Sequence, residues 1–197
     1  METIELIQTP LAPVASPWDS PQLKGMMIPT DLIQKRVGEL ANEIKQHIPQ
    51  DEPIVVLSLL SGAFLFTADL IRHWHFPFEL DFMGVSSYGT GTESGELTWT
   101  HPLQINLKGK QVLVVDDILD TGQTLRKVTH KLVHSEPVSI RTCVLLQKER
   151  TQPCEHPFEA DFVGFRIPDQ FVVGYGLDFD MQFRQLPFIG VLNAPEG

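Results

Sequence analysis

Residues 112–125 read VLVVDDILDTGQTL, and they hold the densest set of chemically useful groups in the chain. Four apolar residues run into two adjacent carboxylates, Asp116 and Asp117. Ile118 and Leu119 follow, then Asp120, Thr121, Gly122, Gln123 and Thr124, and then a segment with helical spacing over 125–133. An unbroken β-branched run is the pattern of a strand buried on both faces. An Asp/Thr/Gly cluster that opens a helix reads as a phosphate cradle. Its amides lie at the positive end of the helix and hold a monophosphate without a basic side chain. Carboxylates at the carboxyl end of a strand sit where open α/β sheets bind ligands, and they suit ribose hydroxyls or a Mg²⁺ that bridges substrate oxygens. A plainer reading makes Asp and Thr ordinary helix caps, but it leaves the paired acids unexplained.

The elements that must position these groups follow from the hydrophobic pattern. Leu32, Val37, Leu40, Ala41 and Ile44 recur at helical spacing after Pro29, with Thr30 or Asp31 as the cap. Residues 54–60 read as a buried strand, 63–74 as a helix and 78–85 as a second strand. The stretch 112–115 is a third strand, 125–133 a helix and 140–146 a fourth strand. Apolar runs near Phe162 and over 171–173 supply further strands. Strands alternating with helices predict an α/β fold with a mainly parallel twisted sheet flanked by helices. Between 88 and 110 the pattern breaks around Gly89, Gly91 and Gly95, which reads as a mobile lid or binding loop. Residues 1–25, with Pro10, Pro13, Pro17 and Pro21, read as an extended arm without regular order.

Composition narrows the function classes. A chain of 197 residues with 42% hydrophobic content makes one ordinary α/β domain with a substantial core. The net charge of −10 and the lack of a long Lys/Arg cluster argue against a nucleic-acid or anionic-membrane surface. Cys143 and Cys154 lack metal-ligand spacing, and Cys143 lies in an apolar run as a buried thiol, which fits a reducing compartment. No Lys or Arg precedes Lys24 and no apolar run reaches the length of a membrane span, so a soluble cytoplasmic protein is expected. His130 and His134 share a helix face, but no third ligand accompanies them, and a solvated face is the expectation.

The pattern of apolar residues, two acids, two apolar residues and D-T-G-x-T resembles the 5-phosphoribosyl 1-pyrophosphate (PRPP) motif of the type I phosphoribosyltransferases. The resemblance sharpens to the hypoxanthine-guanine phosphoribosyltransferases through four further segments: IVVLSLLSGAFLFTADL (54–70), ELDFMGVSSYGTG (79–91), LLQKERT (145–151) and FVGFRIPDQFVVGYGLDFDMQFRQLP (162–187). With MMIPTDLIQKRVGEL at the front it covers about 26–191, and the block ending at Asp178 separates it from orotate and adenine enzymes that share the PRPP motif. It implies a single domain over 26–197 with a small hood and a mobile lid loop. The implied activity is transfer of the phosphoribosyl group from PRPP to hypoxanthine or guanine, with Mg²⁺, by a homodimer or homotetramer. No nucleic-acid or membrane partner is implied.

The resemblance also assigns roles. Asp116, where relatives usually carry Glu, and Asp117 touch the ribose hydroxyls, and Asp120 acts as general base or acid at the purine's imidazole ring. Thr121, Gly122, Gln123 and Thr124 cradle the 5′-phosphate. Lys148 donates to the 6-oxo group, Phe171 stacks on the base, and the Val172 main chain reads the 2-position. Asp178 lies beside the purine and, with Asp116 and Asp117, is a candidate Mg²⁺ ligand. Ser61, Gly62 and Arg184 contact pyrophosphate, and Ser87 and Tyr88 belong to the closing loop. Taken alone, Lys148 would read as a solvated strand end and Phe171 as core. Two departures stand out. Ser61 replaces a basic residue, and the 93–103 segment lacks the basic residues many relatives carry. They leave open a weakly catalytic regulator that senses PRPP or nucleotide, and, apart from them, a xanthine-preferring enzyme is a further alternative.

Overall fold

The structure, a computed structural model, describes residues 10–14, 17–49, 51–87, 97–149 and 158–193. In chain order it runs β1 (Leu23–Ile28), α1 (Thr30–His47), β2 (Ile54–Leu60), α2 (Phe64–Ile71), β3 (Glu79–Ser87) and β4 (Leu97–His101). Then follow β5 (Gln111–Leu119), α3 (Gln123–Val133), β6 (Ser139–Glu149), β7 (Phe162–Pro168), β8 (Val172–Val173) and β9 (Ile189–Leu192). Strands β2 and β5 are buried along most of their length, so each must be covered on both faces. They lie at the centre of a six-stranded sheet ordered β4-β3-β2-β5-β6-β7. All its neighbours pair in parallel except β3 and β4, which are antiparallel.

The two faces can be read from the pleat. Val56, Leu113 and Val115 share one cluster with Val37, Leu40 and Ile44 of α1 and Phe66 and Leu70 of α2. Their strand neighbours Val55, Leu57, Val112 and Val114 share another with Leu125, Val128 and Leu132 of α3. Alternate residues of one strand thus enter opposite cores, giving the expected layering of helices on both faces. A second, three-stranded antiparallel sheet, β1-β9-β8, forms the hood, over a small core of Val173, Phe183, Leu186, Phe188 and Leu192.

Four readings shift. The acids were placed after the third strand, but β5 pairs with β6 as far as Leu119, with Asp116 opposite Val144. Asp116 and Asp117 are therefore strand residues. The N-cap of α1 is Pro29, and neither Thr30 nor Asp31 caps it. The Thr30 hydroxyl donates instead to the Pro187 carbonyl at 2.9 Å, fastening α1 to the segment before β9. The expected irregular stretch contains β4, while residues 88–96, including Tyr88, lie outside the described residues. Strand β1 begins inside the segment read as an arm, and Ala12 exchanges two main-chain hydrogen bonds with Met26. Edge pairing of this kind uses the backbone, and Lys24 and Gly25 hide it from a hydrophobicity pattern.

Candidate functional site

Strand β5 delivers its two acids to the carboxyl end of the sheet, beside the loop that follows β2. Asp116 is only 8% exposed, and its Oδ1 accepts the Asp117 amide at 3.0 Å. Asp117 Oδ1 accepts the Ile118 amide at 2.8 Å. The Asp117 carboxylate rests where Gly62 has no side chain: a Cβ on Gly62 would lie 1.6 Å from Asp117 Oδ2. The Leu60–Ser61 peptide in that loop is cis. Burial pushes the Asp116 carboxyl well above its ordinary value of 3.8, and the Asp117 charge beside it acts the same way. Burial also raises Asp117, against hydrogen bonds and the Arg184 charge that favour its ionised form. Full ionisation of this pair is costly in the free protein, and a ligand that offers hydroxyl donors or a cation removes the cost.

Helix α3 opens at Gly122, whose φ of +75° suits glycine and whose missing side chain leaves the first turn without an N-cap hydroxyl or carboxylate. A Cβ there would lie 2.4 Å from Phe158 Cβ. Thr121 Oγ1 accepts the Gln123 amide at 3.3 Å. Thr121 thus meets one first-turn amide, as the capping reading expects, while Thr121, Gly122 and Thr124 line a cleft at the positive end of α3.

One cleft of about 310 Å³ is lined by Ser61, Gly62, Asp116, Asp117, Asp120, Thr121, Gly122, Thr124, Asp178 and Arg184. An adjoining cleft of about 260 Å³ is lined by Asp117, Asp120, Lys148, Phe171, Val172 and Asp178. Asp117, Asp120 and Asp178 border both. Gln123 is exposed and lines neither. Ser87 is the last residue of β3, opposite Leu97, and Tyr88 lies outside the described residues.

The second cleft has a polar wall and an aromatic one. The Lys148 side chain, 12% exposed, lies 3.5 Å from Asp120 Oδ2 and 3.2 Å from Asp169 Oδ1, so it is not a solvated strand end. Phe171 is 49% exposed and meets the ring of Phe179 edge-on at 5.4 Å. Val172 is buried in β8. Arg184 donates to the Gly176 carbonyl at 2.7 Å and pairs with Asp178 Oδ1 at 2.9 Å. Asp178 Oδ2 accepts the Met181 amide. Asp169 and Phe179 were not singled out in the sequence, although both belong to the quoted 162–187 segment.

Among the described residues, no three Asp, Glu, His or Cys side chains gather as a metal cage. The donor chemistry nevertheless fits a hard cation that takes one or two carboxylates and completes its shell with substrate oxygens and water. His130 and His134 stack edge-on at 5.4 Å on an exposed face. No helix among the described residues is long and apolar enough to cross a membrane.

A sequence profile of the phosphoribosyl transferase domain matches residues 29–180. The chain belongs to the phosphoribosyltransferase family. This phosphoribosyltransferase is 45% identical over 163 residues to the hypoxanthine-guanine phosphoribosyltransferase of Aquifex aeolicus, covering 82% of this chain and 90% of that one. It is 43% identical over 174 residues to the hypoxanthine phosphoribosyltransferase of Haemophilus influenzae, covering 87% and 96%. The crystal structure of a Staphylococcus aureus hypoxanthine phosphoribosyltransferase superposes with a TM-score of 0.81 at 38% identity, over 87% of this chain and 92% of that one.

Two outcomes are expected for this phosphoribosyltransferase without ligand. Because the folded Asp116 holds its proton to higher pH than the unfolded chain does, stability falls as pH rises from 3.8 through the raised value. Asp116→Asn keeps an acceptor oxygen and removes that loss. At neutral pH its Tm should rise by roughly 2–4 °C, the shift that about 1 kcal/mol produces in a domain of this size. Calorimetric melts across pH check this, and a variant that melts lower than wild type at neutral pH contradicts it. Gly62→Ala forces the Asp117 carboxylate from its seat and should cost about 1–3 kcal/mol in urea unfolding.

Proposed function

We propose that this chain transfers the 5-phosphoribosyl group of PRPP to hypoxanthine or guanine, giving IMP or GMP and pyrophosphate in purine salvage. The observation that carries this is the meeting of the two clefts at Asp117, Asp120 and Asp178. Thr121, Gly122 and Thr124 stand on one side, and the paired Lys148 and open Phe171 ring stand on the other. The names of the relatives support the same reaction.

On this reading Thr121, Gly122 and Thr124, through main-chain amides and the threonine hydroxyls, hold the 5′-phosphate. Asp116 and Asp117 accept hydrogen bonds from the ribose hydroxyls. The loop amides of Ser61 and Gly62 and the fork of Arg184 hold pyrophosphate. Arg184 brings a guanidinium to the cleft whose loop has Ser61 in place of a cation, which counts against the regulatory reading. Asp178, Asp116 and Asp117 would hold Mg²⁺, which when bound neutralises the leaving pyrophosphate. Bond breaking ahead of bond making leaves positive charge on the ribose, and the carboxylates of this cleft stabilise it.

Phe171 stacks on the purine and the Val172 main chain meets its 2-position. Lys148, held by Asp120 and Asp169, donates to the 6-oxo group. Adenine's amino group would leave that ammonium without an acceptor, a mismatch that rejects a ligand strongly. Asp120 takes the proton from the imidazole-ring nitrogen as the glycosidic bond forms. The catalytic unit spans residues 26–197. The protein works in the cytoplasm as a homodimer or homotetramer.

The test is Mg²⁺- and PRPP-dependent nucleotide formation with hypoxanthine, guanine, xanthine and adenine side by side. Turnover with hypoxanthine or guanine and none with adenine is expected. Turnover with xanthine above both points to the xanthine-preferring reading, and nucleotide binding without turnover on any base points to a sensor. Asp120→Asn should lower kcat by about 10²–10⁴-fold while nucleotide binding persists. A variant of near wild-type rate removes Asp120 from its role.

A further inference from the structure

Tyr175 holds φ +48° between Gly174 at +99° and Gly176 at +104°. A bulky side chain in the left-handed region is uncommon, so the surroundings must impose it. The Tyr175 ring is 4% exposed, and its hydroxyl donates to Asp69 Oδ2 on α2 at 2.6 Å. Gln34 Nε2 of α1 donates to the same oxygen at 3.0 Å. Burial and this acidic partner both push the Tyr175 hydroxyl upward, so it stays a donor at neutral pH. None of the three side chains lines either cleft.

Their bond nonetheless closes a ring around one end of the site. Gly176 abuts the pyrophosphate loop so tightly that a Cβ would lie 2.2 Å from the Gly62 carbonyl oxygen. The Gly176 carbonyl accepts Arg184 Nη1, the Gly176 amide donates to the Arg184 carbonyl, and the Tyr175 amide donates to the Leu186 carbonyl. Helix α2, which carries Asp69, starts just after Gly62. The path from Gly62 along α2 to Asp69, across to Tyr175 and Gly176, and back to Gly62 joins both walls that face the leaving group.

We propose that Asp69 and Tyr175, steadied by Gln34, are positioning residues that set the Ser61–Gly62 loop and Arg184 for pyrophosphate, with no part in reading the purine. This rests on the function proposed above. A charge-assisted O–H···O⁻ bond is short and stiff, and loss of supporting contacts loosens a site that must hold its groups to within about 0.5 Å.

The experiment measures KM for PRPP and for hypoxanthine, the Kd of Mg²⁺-pyrophosphate by calorimetry, and Tm. It uses the full chain and Tyr175→Phe, Asp69→Ala and Asp69→Asn. Tyr175→Phe and Asp69→Ala should each raise the PRPP KM and the pyrophosphate Kd about tenfold, with the hypoxanthine KM within about twofold. Asp69→Asn keeps an acceptor oxygen and should stay within about threefold. Unchanged PRPP and pyrophosphate affinities overturn the proposal, as do losses shared equally by both substrates and scaling with Tm. If the wild-type chain forms no nucleotide, the function proposed above fails, while the pyrophosphate Kd series still decides the positioning role.

Discussion

A buried carboxylate and a half-buried one at the end of β5, Asp116 and Asp117, are the constraint on which the rest of the site depends. Burial raises both carboxyls, and the Asp117 charge raises Asp116 further. The surroundings compensate only in part. Main-chain amides solvate one oxygen of each, Gly62 makes room for Asp117, and Arg184 supplies a distant positive charge. The unfavourable remainder is useful, because it becomes binding energy for any ligand that brings hydroxyl donors and a cation to the same place. Such a site is assembled at the expense of local stability.

The sheet makes that arrangement possible. Parallel pairing of β2, β5 and β6 brings three carboxyl ends to one edge. They contribute the Ser61–Gly62 loop, the acid pair with the α3 turn, and Lys148. The hood then adds Phe171 and Val172 from one side, and Asp178 and Arg184 from the segment that returns to β9. The division of labour explains how a chain of net charge −10 can take a polyanion. Among the described residues that line the two clefts, Arg184 and Lys148 are the cations, and the start of α3 adds the positive end of a helix.

The central layers were legible because their signal is local. The run 54–60 coincides with β2, and the apolar-acid-turn-helix order over 112–133 names β5 and α3 with only their edges misplaced. Edges were misplaced because pairing decides them: Asp116 and Asp117 belong to β5 on account of β6, whose partners lie 28 residues further along. Strand β1 and its Ala12 bridge went unseen, since edge pairing through the main chain leaves no hydrophobic trace. Most candidate residues of the site do line the clefts, and they are the ones close together in motifs. Asp169 beside Lys148, and Tyr175 against Asp69 across 106 residues, depend on tertiary proximity that no spacing in the sequence expresses. Thr30 was read as a cap because its type suits one, but a carbonyl of the distant segment before β9 engaged its hydroxyl first.

The raised Asp116 carboxyl should lose its proton to the buffer when substrate and Mg²⁺ bind. Titration calorimetry of PRPP with Mg²⁺, repeated in buffers of different ionisation enthalpy, counts the protons exchanged on binding. Comparison with Asp116→Asn separates the pair from the phosphates' own protons. Wild type should release more protons than Asp116→Asn at mildly acidic pH, with the difference vanishing as pH rises and the pair ionises unaided. Equal proton release by the two proteins throughout that range would contradict it.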